Sequence, residues 1–164
     1  MLPVIAANIG GQNYLYKWGN VLLDTGAQIS LIRQETAESL GLEGKNISIT
    51  ITKVGGEEEM KTKAFKVHVT SLDNDRKFLI KAIGIPTISD DIVPIKTKEI
   101  GGHLGLTKEK LHRGRGPVDL LIGIDNAHMH TGETKQVEHL VTRNSPLRWV
   151  IFGRNIRRPV EYFI

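Results

Sequence analysis

Ten residues near the start of the chain, Val21-Leu22-Leu23-Asp24-Thr25-Gly26-Ala27-Gln28-Ile29-Ser30, constrain it more than any others. An apolar run passes directly into a carboxylate, a hydroxyl and a glycine, and then into small and polar side chains. The run reads as a buried strand. An Asp at its end is costly to desolvate unless it has partners or chemistry to perform. The strand must therefore deliver Asp24 to a loop that meets one of those conditions. Asp24-Thr25-Gly26 occurs once in 164 residues, and that single copy shapes everything that follows.

The length suits one domain with a real core and is too short for two large ones. A hydrophobic content of 40% with 24% charged residues is that of an ordinary globular protein. Aromatics are scarce while Ile, Val and Leu abound, which favours β-structure. The chain has no cysteine, so disulfides, thiolate catalysis and Cys-based zinc sites are excluded. A net charge of +4 suits a solvated surface and leaves room for weak contact with RNA or another polyanion. No apolar run reaches the ~20 residues of a membrane helix, and residues 1–10 lack the pattern of a secretory signal.

Strands are expected over Leu2–Ile9, Tyr14–Trp18 and Asn20–Asp24, the last two separated by Gly19, with Gly10–Asn13 as a turn. Leu31–Leu40 reads as a turn or short helix ending at Gly41. Asn46–Val54 alternates, with Ile47, Ile49 and Ile51 opposite Ser48, Thr50 and Thr52, the mark of a half-buried strand. Gly55-Gly56 and the stretch Glu57–Lys63 follow. Ala64–Leu72 then alternates through Phe65, Val67 and Val69, so the two strands form a hairpin with a glycine tip. Lys77–Ile85 is a further strand stopped by Pro86. Thr87–Gly116 has weak periodicity, with a short helix expected over Thr107–Leu111, capped by Thr107, and an exposed loop over Leu111–Gly116. Val118–Gly123 reads as a buried strand ending in glycine, Asp125–His130 as the start of a helix, and Val137–Thr142 and Trp149–Phe152 as strands. There is no internal repeat or low-complexity tract.

With its single Asp24-Thr25-Gly26, a glycine-tipped hairpin at Lys53-Val54-Gly55-Gly56 and the later Leu120-Leu121-Ile122-Gly123, the chain resembles the retropepsin-like aspartic peptidases. The order of these elements is more specific than any one of them, and together they span about residues 2–130. The resemblance is closest to the peptidase domain of BEL/Pao-type retrotransposon polyproteins. Those domains read Leu-Asp-Ser/Thr-Gly, then Val-Asp-Leu-Leu-Ile-Gly-x-Asp, then Thr-x-Leu-Gly-Trp-Val-x-x-Gly. Here Val118–Asp125 matches the second element. Leu147-Arg148-Trp149-Val150 keeps the order of the third, with Arg148 where glycine is usual and a longer gap back to Thr142.

The resemblance implies a mainly all-β, single-lobe acid-protease closed barrel with a short helix. The whole of 1–164 forms one peptidase domain, with its core over about 2–130, an insertion over about 87–116 and an extension over about 131–164. It implies hydrolysis by two carboxylates that share a proton and hold a water between them. One Asp-Thr-Gly per chain then requires a symmetric homodimer in which Asp24 meets its own copy on the two-fold axis. Thr25 ties the two active-site loops together through its hydroxyl, and Gly26 lets backbone approach substrate. Val54, Gly55 and Gly56 form a flap over a peptide or polyprotein substrate, although a plain surface hairpin would look the same. Ala27, Val118 and Leu121 line substrate pockets, with core packing the competing role for Val118 and Leu121. Viral retropepsins place an Asp after Asp-Thr-Gly-Ala and pair it with an Arg after the second glycine. Those positions are Gln28 and Ile124 here, so both halves of that ion pair are missing together.

Asp119 and Asp125 lack an Asp-Thr-Gly context and read as capping or structural hydrogen-bonding groups rather than a second catalytic carboxylate. His112, His128, His130 and His139 lack metal-site spacing and read as surface histidines, so no metal or other cofactor is expected. Arg154, Arg157 and Arg158 suit a solvated tail, a linker or a weak nucleic-acid contact. The expected location is intracellular, in cytoplasm or a virus-like particle, with no membrane partner. The competing reading is a catalytically silent retropepsin-like module that dimerises or binds a partner in a domesticated host protein.

Overall fold

The computed structural model describes residues 1–11, 13–89 and 114–154. The helix expected over Thr107–Leu111, the first half of the Leu111–Gly116 loop with His112, and Arg157 and Arg158 lie outside the described residues. The fold is mainly β with one short helix, the architecture expected of a single-lobe retropepsin-like domain. In chain order the elements are β1 (Val4–Gly10), β2 (Tyr16–Leu23), β3 (Leu31–Arg33), α1 (Gln34–Ser39), β4 (Gly44–Lys53), β5 (Gly56–Ser71) and β6 (Lys77–Ile85). After these come β7 (Leu120–Ile122), a kinked 3₁₀ segment (Ile124–His130), β8 (Thr134–Val137), β9 (Leu140–Ser145) and β10 (Arg148–Gly153).

Seven strands form one sheet in the order β1, β2, β7, β3, β6, β5, β4. The far end of β5 also pairs with β1, Ala7 opposite Ser71 and Gly10 opposite His68, so six strands close into a barrel. Strand β4 stays outside the ring and pairs only with the near half of β5. Alternation explains the interior: Ile5, Ile9, Val21, Val67, Val69 and Ile80 all point inward and are fully buried. Strands β8–β10 form a separate three-stranded sheet. Its Leu147 and Val150 join the barrel core, so this small sheet is packed against the barrel.

One expected break in the strands is absent. Residues Tyr16–Leu23 run through Gly19 as one strand. Glycine stands there because the carboxylate of Asp119 comes close: a Cβ at Gly19 would lie 2.9 Å from Asp119 Oδ2. Glu57–Lys63 continues β5, held by ten consecutive pairings with β4. Conversely, Val137–Thr142 is two strands, because Glu138 adopts a positive φ of 55° and reverses the chain into β9.

β7 is only three residues long, yet it is inserted between β2, which it meets in parallel, and β3, which it meets antiparallel. Asp119, at its entrance and 4% exposed, secures it. Its Oδ2 accepts the backbone N–H of Asn20 at 3.0 Å. Its Oδ1 accepts from the hydroxyl of Thr36 at 2.6 Å, the ammonium of Lys17 at 3.3 Å and the guanidinium of Arg33 at 3.2 Å. Backbone bonds from Asp119 N to Asn20 O and from Arg33 N to Asp119 O complete the junction. Burial, the largest single influence, pushes the Asp119 carboxyl up. The Thr36 and Asn20 hydrogen bonds, with the charges of Lys17 and Arg33, outweigh it and hold the group below its ordinary value.

An Asp119→Asn protein should therefore lose about 3 kcal/mol at neutral pH, since Arg33 and Lys17 lose the buried carboxylate they face and Arg33 keeps only the exposed Glu35. Because the folded carboxyl titrates below its ordinary 3.8, its contribution is full above that value and disappears as pH falls through the lowered one. Urea unfolding from pH 7 down to pH 3 should show the wild-type and variant curves converging in acid. A constant difference across that range would contradict this role.

Candidate active site

Asp24 is the first residue beyond β2, and its position follows from the ladder beneath it. Leu23 pairs with Ile122 in parallel register, and the Asp24 N–H then donates to Ile122 O at 3.0 Å. The side chain is half-buried. Its Oδ1 accepts the N–H of Gly26 at 2.8 Å, which aims the carboxylate back across its own loop. Ala27 N donates to Asp24 O at 3.3 Å, closing a tight turn. Oδ2 accepts no hydrogen bond among the described residues. Thr25 and Gly26 are exposed beside it.

Gly123 sits directly behind this loop. A Cβ there would lie 2.6 Å from Ala27 O and 2.8 Å from Ile29 O, so only glycine permits the close approach. Ile124 N donates to Ala27 O at 2.8 Å, stitching the two loops together. Beyond it, Asp125 accepts both the N–H of Ser30, at 3.0 Å, and its hydroxyl, at 2.8 Å. The same Ser30 oxygen accepts the N–H of Gly123 at 3.1 Å and the amide of Asn126 at 3.2 Å. His130 Nε2 donates to Gly123 O at 2.9 Å, so this histidine has a partner in the fold and is not a spare surface group. His128 lies beside the Phe78 ring.

The expectation of structural roles for Asp119 and Asp125 agrees with these contacts. Ser30 was not singled out from the sequence, although a serine six residues after Asp24 facing a Gly-x-Asp element carries the signal. Gln28 and Ile124 are exposed, and the loops that bear them are joined instead through Ser30 and Asp125.

The other sequence-derived residues fall in three places. Ala27 lies half-buried on the Asp24 loop. Val118 and Leu121, at 0% and 6% exposure, pack with Val4 and Leu22 in a small cluster that Ala27 touches. They support the loop from beneath and offer no open surface in a single chain. Val54, Gly55 and Gly56 form the tip of the β4–β5 hairpin, with Lys53 opposite Gly56 and Val54 fully exposed. Gly55 adopts φ 104°, a conformation that glycine takes without strain. One hairpin face carries Ile47, Ile49, Ile51 and Met60, all half-buried, while Ser48, Thr50, Thr52, Glu57 and Glu59 on the other are exposed.

A groove of about 720 Å³ lies between α1 and the hairpin root, lined by Gln34, Glu38, Asn46, Ile47, Lys61 and Phe65 among others, and Asp24 is not part of its wall. No cluster of three or more metal-ligating side chains occurs among the described residues, and no helix there is long and apolar enough to cross a membrane.

A family model described as aspartyl protease matches residues 5–125, a span that runs from β1 through the Asp24 loop and the hairpin to Asp125. No curated protein and no solved structure matches the chain.

Gly123→Ala should cost about 2 kcal/mol or more of stability through overpacking against Ala27 and Ile29 carbonyls. Ser30→Ala should cost about 1–2 kcal/mol, because it leaves the buried Gly123 N–H without its acceptor and removes the hydroxyl that Asp125 and Asn126 share. Urea denaturation of both proteins checks these values, and a Gly123→Ala midpoint equal to wild type would contradict the contact.

Proposed function

The chain belongs to the aspartyl protease family, and we propose that it is an aspartic endopeptidase active as a homodimer. The observation that carries this reading is the Asp24 carboxylate itself. It is held by Gly26 and the β7 ladder on one side and left open on the other, on a loop whose Thr25 and Ile29 are exposed beside the exposed Ile124 of the neighbouring loop. A single such carboxylate lacks a second to share its proton. A copy related by a two-fold axis supplies one, and the exposed apolar Ile29 and Ile124 are suited to the join.

In this reading Asp24 and Asp24 of the partner subunit hold one proton and one water between them, since two carboxylates so close do not both ionise. The ionised member takes a proton from water as its oxygen attacks the scissile carbonyl carbon. The protonated member gives its proton to the carbonyl oxygen, forming a tetrahedral diol. On collapse the carbon–nitrogen bond breaks, the amine leaves with a proton and the shared proton returns to the pair. Titration of this site belongs to the pair rather than to either group.

The β4–β5 hairpin serves as the flap over an extended peptide, with its apolar face toward substrate and Gly55 at the moving tip. Ala27 lines the cleft, and Val118 and Leu121 shape it from behind. Thr25 links the two loops across the axis. Processing of a retroelement polyprotein of the BEL/Pao type, inside the cell or in a virus-like particle, is supported by Val118–Asp125 and by Leu147-Arg148-Trp149-Val150, the first of which includes the Asp125 that clasps Ser30.

Purified protein should cleave peptides with apolar residues on both sides of the scissile bond and be blocked by a statine-type mimic of the diol. Asp24→Asn should lower kcat by about 10²–10⁴-fold or more, with the melting curve retained. Sedimentation should show a dimer with the mimic bound. An Asp24→Asn protein that cleaves as fast as wild type sinks the mechanism. A wild-type protein that never cleaves but dimerises and holds a partner favours a silent binding module.

A further inference from the structure

The outer wall of the barrel opposite the core has a composition that peptide hydrolysis does not use. Of the chain's four Phe, three Tyr and two Trp, the described members outside one hairpin, Phe65, Phe78, Trp149 and Phe152, are buried or half-buried. The three exposed ones, Tyr14, Tyr16 and Trp18, fall within five residues at the start of β2. Tyr16 and Trp18 are alternate residues, so they stand on the same face about 7 Å apart.

Cross-strand register shows what surrounds them. One row across β2, β1, β5 and β6 reads Trp18, Asn8, Thr70, Lys77, and the next reads Tyr16, Gly10, His68, Leu79. A third pair, Lys66 and Lys81, follows on β5 and β6. Lys66, Lys77 and Lys81 are exposed, and no acidic side chain stands in these three rows; the exposed Glu57, Glu58 and Glu59 lie toward the other end of β5, in its hairpin half.

The face is also built, not merely exposed. Gly10 leaves room for the Tyr16 ring to lie across β1: a Cβ at Gly10 would sit 2.4 Å from Tyr16 Cδ1. The Lys77 ammonium lies 5.7 Å from the centre of that ring. The Trp18 ring rests against Gly114, where a Cβ would lie 2.6 Å from its edge. Two flat rings held by glycines, beside lysines of one sign, form a stacking platform with a cationic border.

We propose that this wall binds single-stranded RNA. Two splayed bases stack on Tyr16 and Trp18, stacking that tolerates any base. The phosphates run along Lys77, Lys81 and Lys66. Asn8 and Thr70, half-buried between the rings and the lysines, offer the donors and acceptors that meet a 2′-hydroxyl. This surface is distinct from the Asp24 loop and from the basic tail after Gly153, and it needs no peptidase activity.

The test is fluorescence anisotropy of labelled oligouridine titrated with the full chain at low and high KCl, with oligodeoxythymidine and duplex RNA in parallel. Single-stranded RNA should bind most tightly. Tyr16→Ala with Trp18→Ala should weaken it about 10-fold or more at unchanged salt dependence. Lys77→Glu with Lys81→Glu should reduce the slope of log K against log salt by about 1.4, two single-strand phosphates. Tyr16→Phe with Trp18→Phe keeps the rings and should keep the affinity, which separates stacking from a folding defect. Wild type that ignores RNA at low salt overturns the proposal. So does equal or tighter binding of DNA or duplex, or affinity that survives the Ala pair and vanishes on removing residues 154–164. Self-association lost in the Ala pair with no RNA binding would make the wall a protein interface and would also overturn it.

Discussion

A three-residue strand cannot hold itself in a sheet, and the geometry of this molecule depends on how β7 is held. It enters between β2 and β3 and supplies the carbonyl to which Asp24 is tied. The buried carboxylate of Asp119 fixes its entrance to β2, β3 and α1 through four donors from four different residues. Burying a charge is repaid only by such saturation, which is why Lys17, Arg33, Thr36 and the Asn20 N–H all converge on it.

The far end of β7 is fixed by the same device. Asp125 takes both donors of Ser30, and the Ser30 oxygen takes Gly123 and Asn126. Thus one carboxylate clamps each end of the strand, and Asp24 stands beside the clamped segment with a free oxygen. The missing Gln28/Ile124 charge pair is less of a loss than the sequence suggests. The loops it would join are already bound one step further along, through a neutral hydroxyl and a carboxylate.

Much of the fold was legible where one physical signal dominated. Period-2 alternation located the β4–β5 hairpin, and Lys77–Ile85 matches β6 to the residue because a turn and Pro86 flank it. The misreadings have specific physical causes. Gly19 looked like a break, but it accommodates the Asp119 carboxylate, a contact 100 positions away that no window of sequence contains. Sequence assigns Glu57–Lys63 no element, and it continues β5 because a hairpin arm outside the barrel exposes one face and tolerates charges there. Asp24 and its loop were legible as a motif. Ser30 was not, because its importance comes from Asp125, 95 residues later.

The hairpin has a further consequence through its outer strand. β4 closes the sheet on one side and pairs with nothing beyond it among the described residues. Its middle, Ile47-Ser48-Ile49-Thr50-Ile51-Thr52, is uncharged, rich in β-branched residues and free of proline. The outward N–H and C=O groups along a ten-residue edge of that composition form a template for strand addition between molecules. The positive-φ glycine tip and this cohesive edge thus belong to one element. Lys45, the exposed charge just before the segment, acts as its gatekeeper against aggregation.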